Sequence, residues 1–260
     1  MIGFKYGGGM KAIIQTNLED PSSLELGDAD KPQLKDGEVL VQVRAAGVNR
    51  ADLLQARGHY PPPPGASEIF GLEVAGEVVD AGDTGVEVGT KVGALLAGGG
   101  YAEYVAVPKG QLLPVPTGYS FAEAASVIEV ACTVWSNIAI EAGLAEGQTI
   151  LIHGGAGGIG TFAIQVAKQL GATVAVTAGS DEKLETCKEL GADILINYNE
   201  QDFAEELKNQ CDVILDIMGA KYLKKNLIAL AQGGHMVTIG MQGGTKAELN
   251  MAILLNKRLT

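Results

Sequence analysis

A run of glycines between an apolar strand and a helix constrains this chain more than any other feature. Residues 151–160 begin with apolar side chains, contain five glycines and then open into a helical pattern. Gly155, Gly157 and Gly160 match the spacing G-x-G-x-x-G. In that spacing a Cβ would strain the turn at the first glycine, block a ligand at the second and separate helix from strand at the third. Free backbone N–H groups at a helix N-terminus bind phosphate, so the loop is predicted to bind a dinucleotide. The loop residues predicted to make this contact are Gly155, Ala156, Gly157, Gly158 and Ile159.

Strands and helices alternate through the second half of the chain. The predicted strands are 149–153, 173–178, 193–196, 212–216 and 235–240. The predicted helices are 159–170, 182–190, 201–208, 220–231 and 247–256. Such alternation implies a doubly wound α/β fold, in which a parallel sheet carries helices on both faces and ligands bind at the carboxyl ends of the strands.

The first half is β-rich and irregular, with a rigid loop at Pro61–Pro64. Its predicted strands are 39–45, 72–79, 101–107 and 111–115, and a helical pattern follows over 121–140. We therefore expect a tag-like extension over 1–9, a β-rich domain over 10–120 and an α/β domain over 121–260. The chain ends where a sixth strand of the sheet is expected, so the second domain is predicted to be incomplete at its C-terminus.

Charge and cysteine content exclude several classes of function. The net charge is −12 and there is no basic run, which argues against a nucleic-acid surface and against binding to an anionic membrane. The three cysteines are scattered, without C-x-x-C or zinc-finger spacing, so we expect no metal site and a reducing, cytoplasmic location. No apolar run approaches the ~20 residues that span a bilayer, so no membrane segment is expected.

The tip of the second strand of the α/β domain indicates which cofactor is bound. An NAD-selective fold places a carboxylate there for the ribose 2′-hydroxyl, whereas this chain has Thr177–Ser180. Ser180 can donate to a 2′-phosphate and Lys183 can neutralise it, so we predict NADPH. Asp181 lies next to this position, and its carboxylate would repel a 2′-phosphate if it pointed inward. Ser180 also suits a helix N-cap, and both roles are compatible.

Two further polar residues at strand ends have two interpretations each. His153 ends the first strand of the α/β domain, either as a packed residue or as a base. Asp216 ends the fourth strand, where it either contacts ribose or caps a turn.

Several segments together resemble one known family. The matching stretches are Ala46–Asp52, Arg57–Pro61, Gly71–Gly76, Leu95–Tyr104, Thr133–Trp135, the glycine loop and Ala178–Ser180. They resemble the zinc-free quinone oxidoreductases of the medium-chain dehydrogenase/reductase superfamily, the zeta-crystallin-like group that includes the p53-inducible type. The resemblance implies a GroES-like substrate domain followed by a Rossmann domain, with NADPH between them and a homodimer in the full-length family.

The same resemblance assigns roles to individual residues. It implies that Asn49 and Tyr60 face the nicotinamide and the substrate, and that Thr133 lies near the nicotinamide ring. By this resemblance the phosphates and the adenosine end are held by the glycine loop with Gly179, Ser180, Lys183 and Tyr198. The ring side of the cleft is bordered by Gly240, Met241 and Gln242.

The implied activity is NADPH-dependent reduction of quinones, by hydride or electron transfer and without a metal. Leu72 stands where zinc-dependent relatives carry His. Tyr60 is the expected proton donor, with an exposed loop aromatic as the alternative; Asn49 either orients the ring or caps the following helix. Reduction of the C=C bond of an enone or alkenal, and a non-catalytic NADPH-binding sensor or structural protein, remain open alternatives.

Overall fold

A computed structural model describes residues 8–260, which form two compact units, one ending at Glu129 and the other beginning at Val130. A GroES-like β-rich unit and a Rossmann-type parallel sheet confirm the predicted fold class. The extension predicted over 1–9 lies mostly outside the described residues.

The first unit is built from two antiparallel sheets. Its strands are β1 (Gly9–Gln15), β2 (Leu24–Asp30), β3 (Glu38–Ala46), β4 (Glu73–Asp80), β5 (Lys91–Leu95), β6 (Tyr104–Pro108) and β7 (Leu112–Pro114). β1 and β2 form a two-stranded sheet, and the other five follow the order β6-β3-β4-β5-β7. Helix α1 (Arg50–Ala56) follows β3, and α2 (Phe121–Ala125) packs its Ala124 and Ala125 against Ala75. Alternating valines of β3 and β4, such as Val39 and Val41, form the core of the larger sheet.

The second unit is a five-stranded parallel sheet. Its strands are β8 (Thr149–His153), β9 (Thr173–Ala178), β10 (Ile194–Asn197), β11 (Cys211–Asp216) and β12 (Leu230–Thr238). Helix α3 (Ile128–Val134) spans the boundary between the units. The further helices are α4 (Gly158–Gln169), α5 (Asp181–Glu189), α6 (Phe203–Glu206), α7 (Leu223–Ala229) and α8 (Met251–Lys257).

Helices cover both faces of this sheet, as the alternation of elements predicts. Ile150 and Ile152 of β8 pack in one cluster with Ile164 of α4, whereas Leu151 packs in another with Phe203 and Leu227. Because successive strand residues point to opposite faces, one buried apolar cluster lies on each face of the sheet.

The strand order determines where a ligand would lie. In space the strands run β10-β9-β8-β11-β12. The chain moves from β8 to one side for β9 and β10, then crosses to the other side for β11 and β12. Such a reversal opens a crevice at the carboxyl ends of β8 and β11, next to the glycine loop. Beyond β12, the Thr260 N–H donates to the Gly234 carbonyl at 3.0 Å, so the chain returns alongside that strand.

Some element boundaries differ from the predictions. β12 begins at Leu230, and its register against β11 shifts there, because residues 231–234, which include the glycine pair before His235, lie opposite Asp212 alone. β2 was not predicted, since it is mostly exposed and lacks an alternating apolar pattern.

The helical stretch Phe121–Glu141 corrects one expectation. Among the described residues it has the length and apolar composition that a membrane-spanning helix needs, although no such stretch was expected. Core helices share these properties. Here Ala124 and Ala125 pack in the first unit, while Val134 and Ile138 are fully buried in the second.

Candidate functional site

The glycine loop folds back on itself between β8 and α4. Gly154 has a φ of +68°, a backbone conformation that favours glycine. The Gly155 N–H donates to the Thr177 carbonyl at 2.9 Å, and the Gly157 N–H donates to the Gly154 carbonyl at 3.0 Å. The residue with the left-handed backbone conformation is therefore Gly154, which directly precedes the motif.

Two glycines of the motif are needed for packing inside the protein. A Cβ on Gly155 would lie 2.8 Å from the Val176 Cβ and 3.0 Å from the Cys187 Sγ. A Cβ on Gly160 would lie 2.6 Å from the Gly155 Cα and would overlap the Gly154 carbonyl oxygen. Gly155 therefore lets the loop lie against β9 and α5, and Gly160 lets the first turn of α4 sit directly on the loop.

Gly157 has no such internal constraint. The nearest atom to a Cβ on Gly157 is the Gly154 oxygen at 3.4 Å, an ordinary contact. The space in front of Gly157 is therefore open to a ligand that approaches the backbone closely.

The N-terminus of α4 presents unpaired donors to this open space. Gly157 is its N-cap and supplies no side-chain acceptor. Within residues 8–260 we find no acceptor for the N–H groups of Ala156, Gly158, Ile159 or Gly160. These donors and the helix dipole match the chemistry of a pyrophosphate, so the loop predicted from sequence fits a dinucleotide. Val130 of α3 lies 3.8 Å from the position of a Cβ on Gly158, so Thr133, one helical turn later, belongs to the helix beside this loop.

His153 lies beneath the loop as a packed residue. It is 2% exposed, and its ring contacts those of Phe203 and Tyr222 at centroid distances of 4.7 and 4.8 Å. Its Nε2 lies 2.8 Å from Asn226 Oδ1, and its Nδ1 lies 3.0 Å from Thr177 Oγ1.

A neutral imidazole with its proton on Nε2 satisfies both contacts. Nε2–H then donates to the Asn226 oxygen, while Nδ1 accepts from the Thr177 hydroxyl. The Thr177 oxygen in turn accepts from the Gly154 N–H at 3.3 Å. Burial lowers the pKa of His153 below its ordinary value, although the Asn226 contact opposes the shift. This chain of hydrogen bonds supports the loop from below and leaves no ring nitrogen for a base.

Asp216 caps a turn at the end of β11. Its Oδ1 accepts from the Met218 N–H and its Oδ2 from the Gly219 N–H, both at 2.9 Å. The carboxylate is 1% exposed, so of its two predicted roles it performs the turn cap.

The segment Gly240–Gln242 lies at the same edge of the sheet. The Gln242 N–H donates to the Ile217 carbonyl at 3.1 Å. The Ile217 side chain lies where a Cβ on Gly154 would be, with its Cδ1 2.7 Å from that position. Met241 is 60% exposed. One residue, Ile217, thus connects the glycine loop to the Gly240–Gln242 segment.

The tip of β9 brings together four of the predicted residues. A Cβ on Gly179 would lie 2.5 Å from the Tyr198 hydroxyl oxygen, so the ring covers this glycine. Ser180 is the N-cap of α5, and its Oγ accepts from the Lys183 N–H at 3.4 Å. We find no ion pair to the Lys183 ammonium among residues 8–260.

Asn49 of the first unit has its amide orientation determined by a buried carboxylate. Its Nδ2 donates to Glu73 Oε1 at 2.9 Å, and its backbone N–H donates to Asp52 Oδ2 at 2.8 Å. Glu73 is 2% exposed and its other oxygen accepts from the Glu129 N–H at 2.8 Å. Asn49 therefore begins α1 as its N-cap, in a capping box in which its side chain faces the Asp52 backbone N–H.

Tyr60 lies after α1, just before the proline run. Its side chain is 45% exposed, and its hydroxyl has no hydrogen-bond partner among residues 8–260. The hydroxyl is available as a donor on a stiff loop.

Sequence reasoning missed the buried polar group around Asn49. Tyr101 donates its hydroxyl to Asp52 Oδ2 at 2.7 Å, and burial followed by this hydrogen bond raises the pKa of Tyr101. Asp52 is 5% exposed, and its Oδ1 has no partner within the described chain. Glu73 and Tyr101 are distant from Asn49 in sequence, so no local pattern announces the cluster.

The residues present do not fit a metal ion. In the part of the chain that the structure describes, no group of three or more His, Cys, Asp and Glu side chains lies close enough to hold one. No chemical step is therefore derived through zinc.

Comparison with known proteins assigns both units to described families. A model described as zinc-binding dehydrogenase matches residues 158–260, and one described as alcohol dehydrogenase GroES-like domain matches residues 35–117. The polyketide synthase GfsB of Streptomyces halstedii is 36% identical over 211 residues, which cover 80% of this chain but 4% of that protein. A quinone oxidoreductase-like protein 2 homolog of Nematostella vectensis is 30% identical over 85% of this chain and 62% of its own length. The chain thus spans less than two thirds of these curated relatives.

Solved structures match over more of their length. The quinone oxidoreductase of Pseudomonas syringae pv. Tomato DC3000 is 30% identical with a TM-score of 0.85, covering 96% of this chain and 80% of that one. The Escherichia coli quinone oxidoreductase, solved in complex with NADPH, is 27% identical with a TM-score of 0.83, covering 97% and 79%.

Gly157 and Gly160 should respond oppositely to a side chain. Gly157 has N-cap dihedral angles, φ −80° and ψ 173°, so Gly157→Ser supplies the missing cap. We expect it to raise the free energy of unfolding by about 0.5–1 kcal/mol, from the new cap and from the lower conformational entropy of the unfolded chain. Gly160→Ser should lower it by about 1–3 kcal/mol, because the new Cβ meets loop backbone. Urea denaturation without ligand measures both. Equal losses in the two variants would contradict the assignment of Gly157 to a ligand rather than to packing.

Burial of neutral His153 should make stability depend on pH. Its pKa is lowered in the folded state from 6.5, so the unfolded chain binds the proton first as the pH falls. The contribution of neutral His153 to the free energy of unfolding is therefore fully present above pH 6.5 and is lost as the pH falls below it. The free energy of unfolding then changes by at most about 1.4 kcal/mol per pH unit. His153→Gln should lose this slope between pH 7 and 5 in urea titrations. An unchanged slope in the variant would show that another group causes the pH dependence.

Proposed function

Because the chain belongs to the medium-chain dehydrogenase/reductase superfamily, with quinone oxidoreductases among its structural neighbours, we propose that it binds NADPH and reduces quinones without a metal ion. The single observation that carries the proposal is the set of unpaired N–H groups at Ala156, Gly158, Ile159 and Gly160 in front of an open Gly157. No packing requirement of the protein accounts for a glycine at that position.

The glycine loop is proposed to bind the pyrophosphate. Its N–H groups are already oriented, so binding requires no rearrangement of the backbone. The chain of hydrogen bonds from Gly154 through Thr177 to His153 keeps them in place. When bound, NADPH supplies a hydride from its nicotinamide ring.

The tip of β9 is proposed to distinguish NADPH from NADH. Ser180 and Lys183 supply a hydroxyl and an ammonium at the N-terminus of α5, where the helix dipole also favours an anion. Tyr198, whose hydroxyl end lies against Gly179, is proposed to contact the adenosine end. The solved Escherichia coli quinone oxidoreductase was complexed with NADPH, which supports the same cofactor here.

Asn49 and Tyr60 are proposed to act on the nicotinamide and the acceptor. The Asn49 Nδ2 donates one of its two hydrogens to Glu73, so its second N–H is proposed to orient the nicotinamide carboxamide. Tyr60 has a free hydroxyl and is therefore the proposed donor to the acceptor oxygen, where negative charge develops. Thr133 and the segment Gly240–Gln242 are proposed to border the nicotinamide.

A second candidate function is reduction of the carbon–carbon double bond of an enone or alkenal. The likeness to a segment of a polyketide synthase favours it, because ketide chains carry a carbonyl beside the bond to be reduced. The same donors serve both acceptors, which are flat, apolar and electron-poor. A homodimer and a cytoplasmic location remain predictions that accompany either function.

Cofactor binding should depend on Gly157 and Lys183 in different ways. We expect NADPH to raise the melting temperature more than NADH does, since ligands stabilise the state that they bind. Gly157→Ser should lower the affinity for both NADPH and NADH at least about tenfold, because the new side chain blocks the pyrophosphate. Lys183→Ala should lower the affinity for NADPH alone, by roughly five- to tenfold, because it removes the charge that faces the 2′-phosphate.

Isothermal titration with each dinucleotide measures these affinities, with Lys224→Ala, at an exposed lysine of α7, as the matched control. Equal affinities of the wild-type protein for NADH and NADPH would contradict the role given to Lys183.

The choice of acceptor and the role of Tyr60 can be tested together. NADPH oxidation is followed with a benzoquinone and with an aliphatic enone, and the larger kcat/KM identifies the acceptor class. Tyr60→Phe should lower kcat about 10²-fold or more with an unchanged KM for NADPH, because it removes one donor. Tyr119→Phe, another exposed tyrosine of the same unit, is the control. NADPH binding without turnover of either acceptor would instead support a non-catalytic sensor.

A further inference from the structure

A buried asparagine contacts an acidic side chain, Asp181, that adjoins the predicted phosphate site. Asn197 is the last residue of β10 and is 6% exposed. Its Nδ2 donates to Asp181 Oδ1 at 3.1 Å, and its Oδ1 accepts from the Asn199 N–H at 3.1 Å. Its own backbone N–H donates to Gln201 Oε1 at 3.2 Å.

The orientation of this amide is determined by its partners. A backbone N–H only donates, so the Asn197 oxygen must face Asn199. The NH₂ group is then directed at Asp181, whose ionised carboxylate only accepts. If the amide were turned over, its NH₂ group would face the Asn199 N–H and its oxygen would face the Asp181 carboxylate. The hydrogen bond from Asn197 Nδ2 to Asp181, called the tether below, therefore has one arrangement.

The tether matters because of where Asp181 lies. It is the first residue of α5, directly after Ser180 and two residues before Lys183. A carboxylate that turned toward Ser180 would repel the 2′-phosphate of NADPH and would accept from the 2′-hydroxyl of NADH. Held against Asn197, it instead contacts the end of β10.

The loop that carries the tether also forms the wall of the same site. Tyr198 covers Gly179, and the Asn199 Nδ2 donates to the Gly179 carbonyl at 2.9 Å. The residues that follow β10 thus hold both the backbone of the β9 tip and the acidic side chain beside it.

We infer that Asn197 is a specificity-determining residue, which keeps the strand tip selective for NADPH by holding the Asp181 carboxylate away from the 2′-phosphate. The inference rests on the proposed binding of NADPH at this tip. It assigns Asn197 a positioning role, since its side chain acts through Asp181 rather than on the cofactor.

A double-mutant cycle tests the inference, with the ratio of the Kd for NADH to the Kd for NADPH as the readout. Asn197→Leu removes the tether at similar volume and should lower the ratio about three- to fivefold, the size expected for an exposed charge pair. Asp181→Ala removes the carboxylate and should keep or raise the ratio. In the Asp181→Ala background, Asn197→Leu should have no further effect, because the charge it releases is gone.

Controls separate this mechanism from a general disturbance of the loop. Gln201→Ala removes a different hydrogen bond to Asn197 and should keep the ratio within twofold of wild type. Far-UV circular dichroism checks folding, and Asn197→Ser, whose shorter hydroxyl does not reach Asp181, replaces the leucine variant if that variant does not fold. An unchanged ratio in the Asn197 variant, or an equal loss with and without Asp181, would overturn the inference alone. No NADPH preference in the wild-type protein would overturn the proposed cofactor as well.

Discussion

The site depends on the absence of two Cβ atoms, at Gly155 and Gly160. The missing Cβ of Gly160 lets the first turn of α4 pack directly on the loop that leaves β8, and the missing Cβ of Gly155 lets that loop lie against Val176 of β9 and Cys187 of α5. The close packing brings the helix N-terminus to the crevice where the strand order reverses. Gly157 then leaves the first turn without a side-chain cap, so its N–H groups stay unpaired. Packing inside the protein thus creates the row of free donors that suits a pyrophosphate.

Buried polar groups hold this arrangement and the neighbouring strand tip in place. His153, Thr177 and Asn226 form a chain of hydrogen bonds that ends on the Gly154 N–H, beneath the loop. Asn197 does the same for the tip of β9, where it fixes Asp181. In both cases a residue at a strand end is fully partnered inside the protein, and the groups that face the ligand are left free. This division of roles explains why His153 is no base, although it lies next to the loop.

Much of the second unit follows from local sequence. β8, β9, α4 and α5 lie within about one residue of their predicted bounds, because their apolar periodicity is strong and glycine or serine marks each boundary. Details that depend on distant partners were not predictable in this way. The left-handed residue is Gly154, and Gly155 must lack a Cβ because Val176 and Cys187 lie against it. Likewise, the orientation of Asn49 depends on Glu73, 24 residues away.

Amide hydrogen exchange of the loop tests the central claim most directly. The N–H groups of Gly158, Ile159 and Gly160 have no acceptor within the described chain and should exchange quickly in the free protein. Saturating NADPH should slow their exchange at least about tenfold, because each amide would then donate to a phosphate oxygen. Unchanged exchange at these amides, under conditions where NADPH raises the melting temperature, would place the dinucleotide elsewhere and contradict the account.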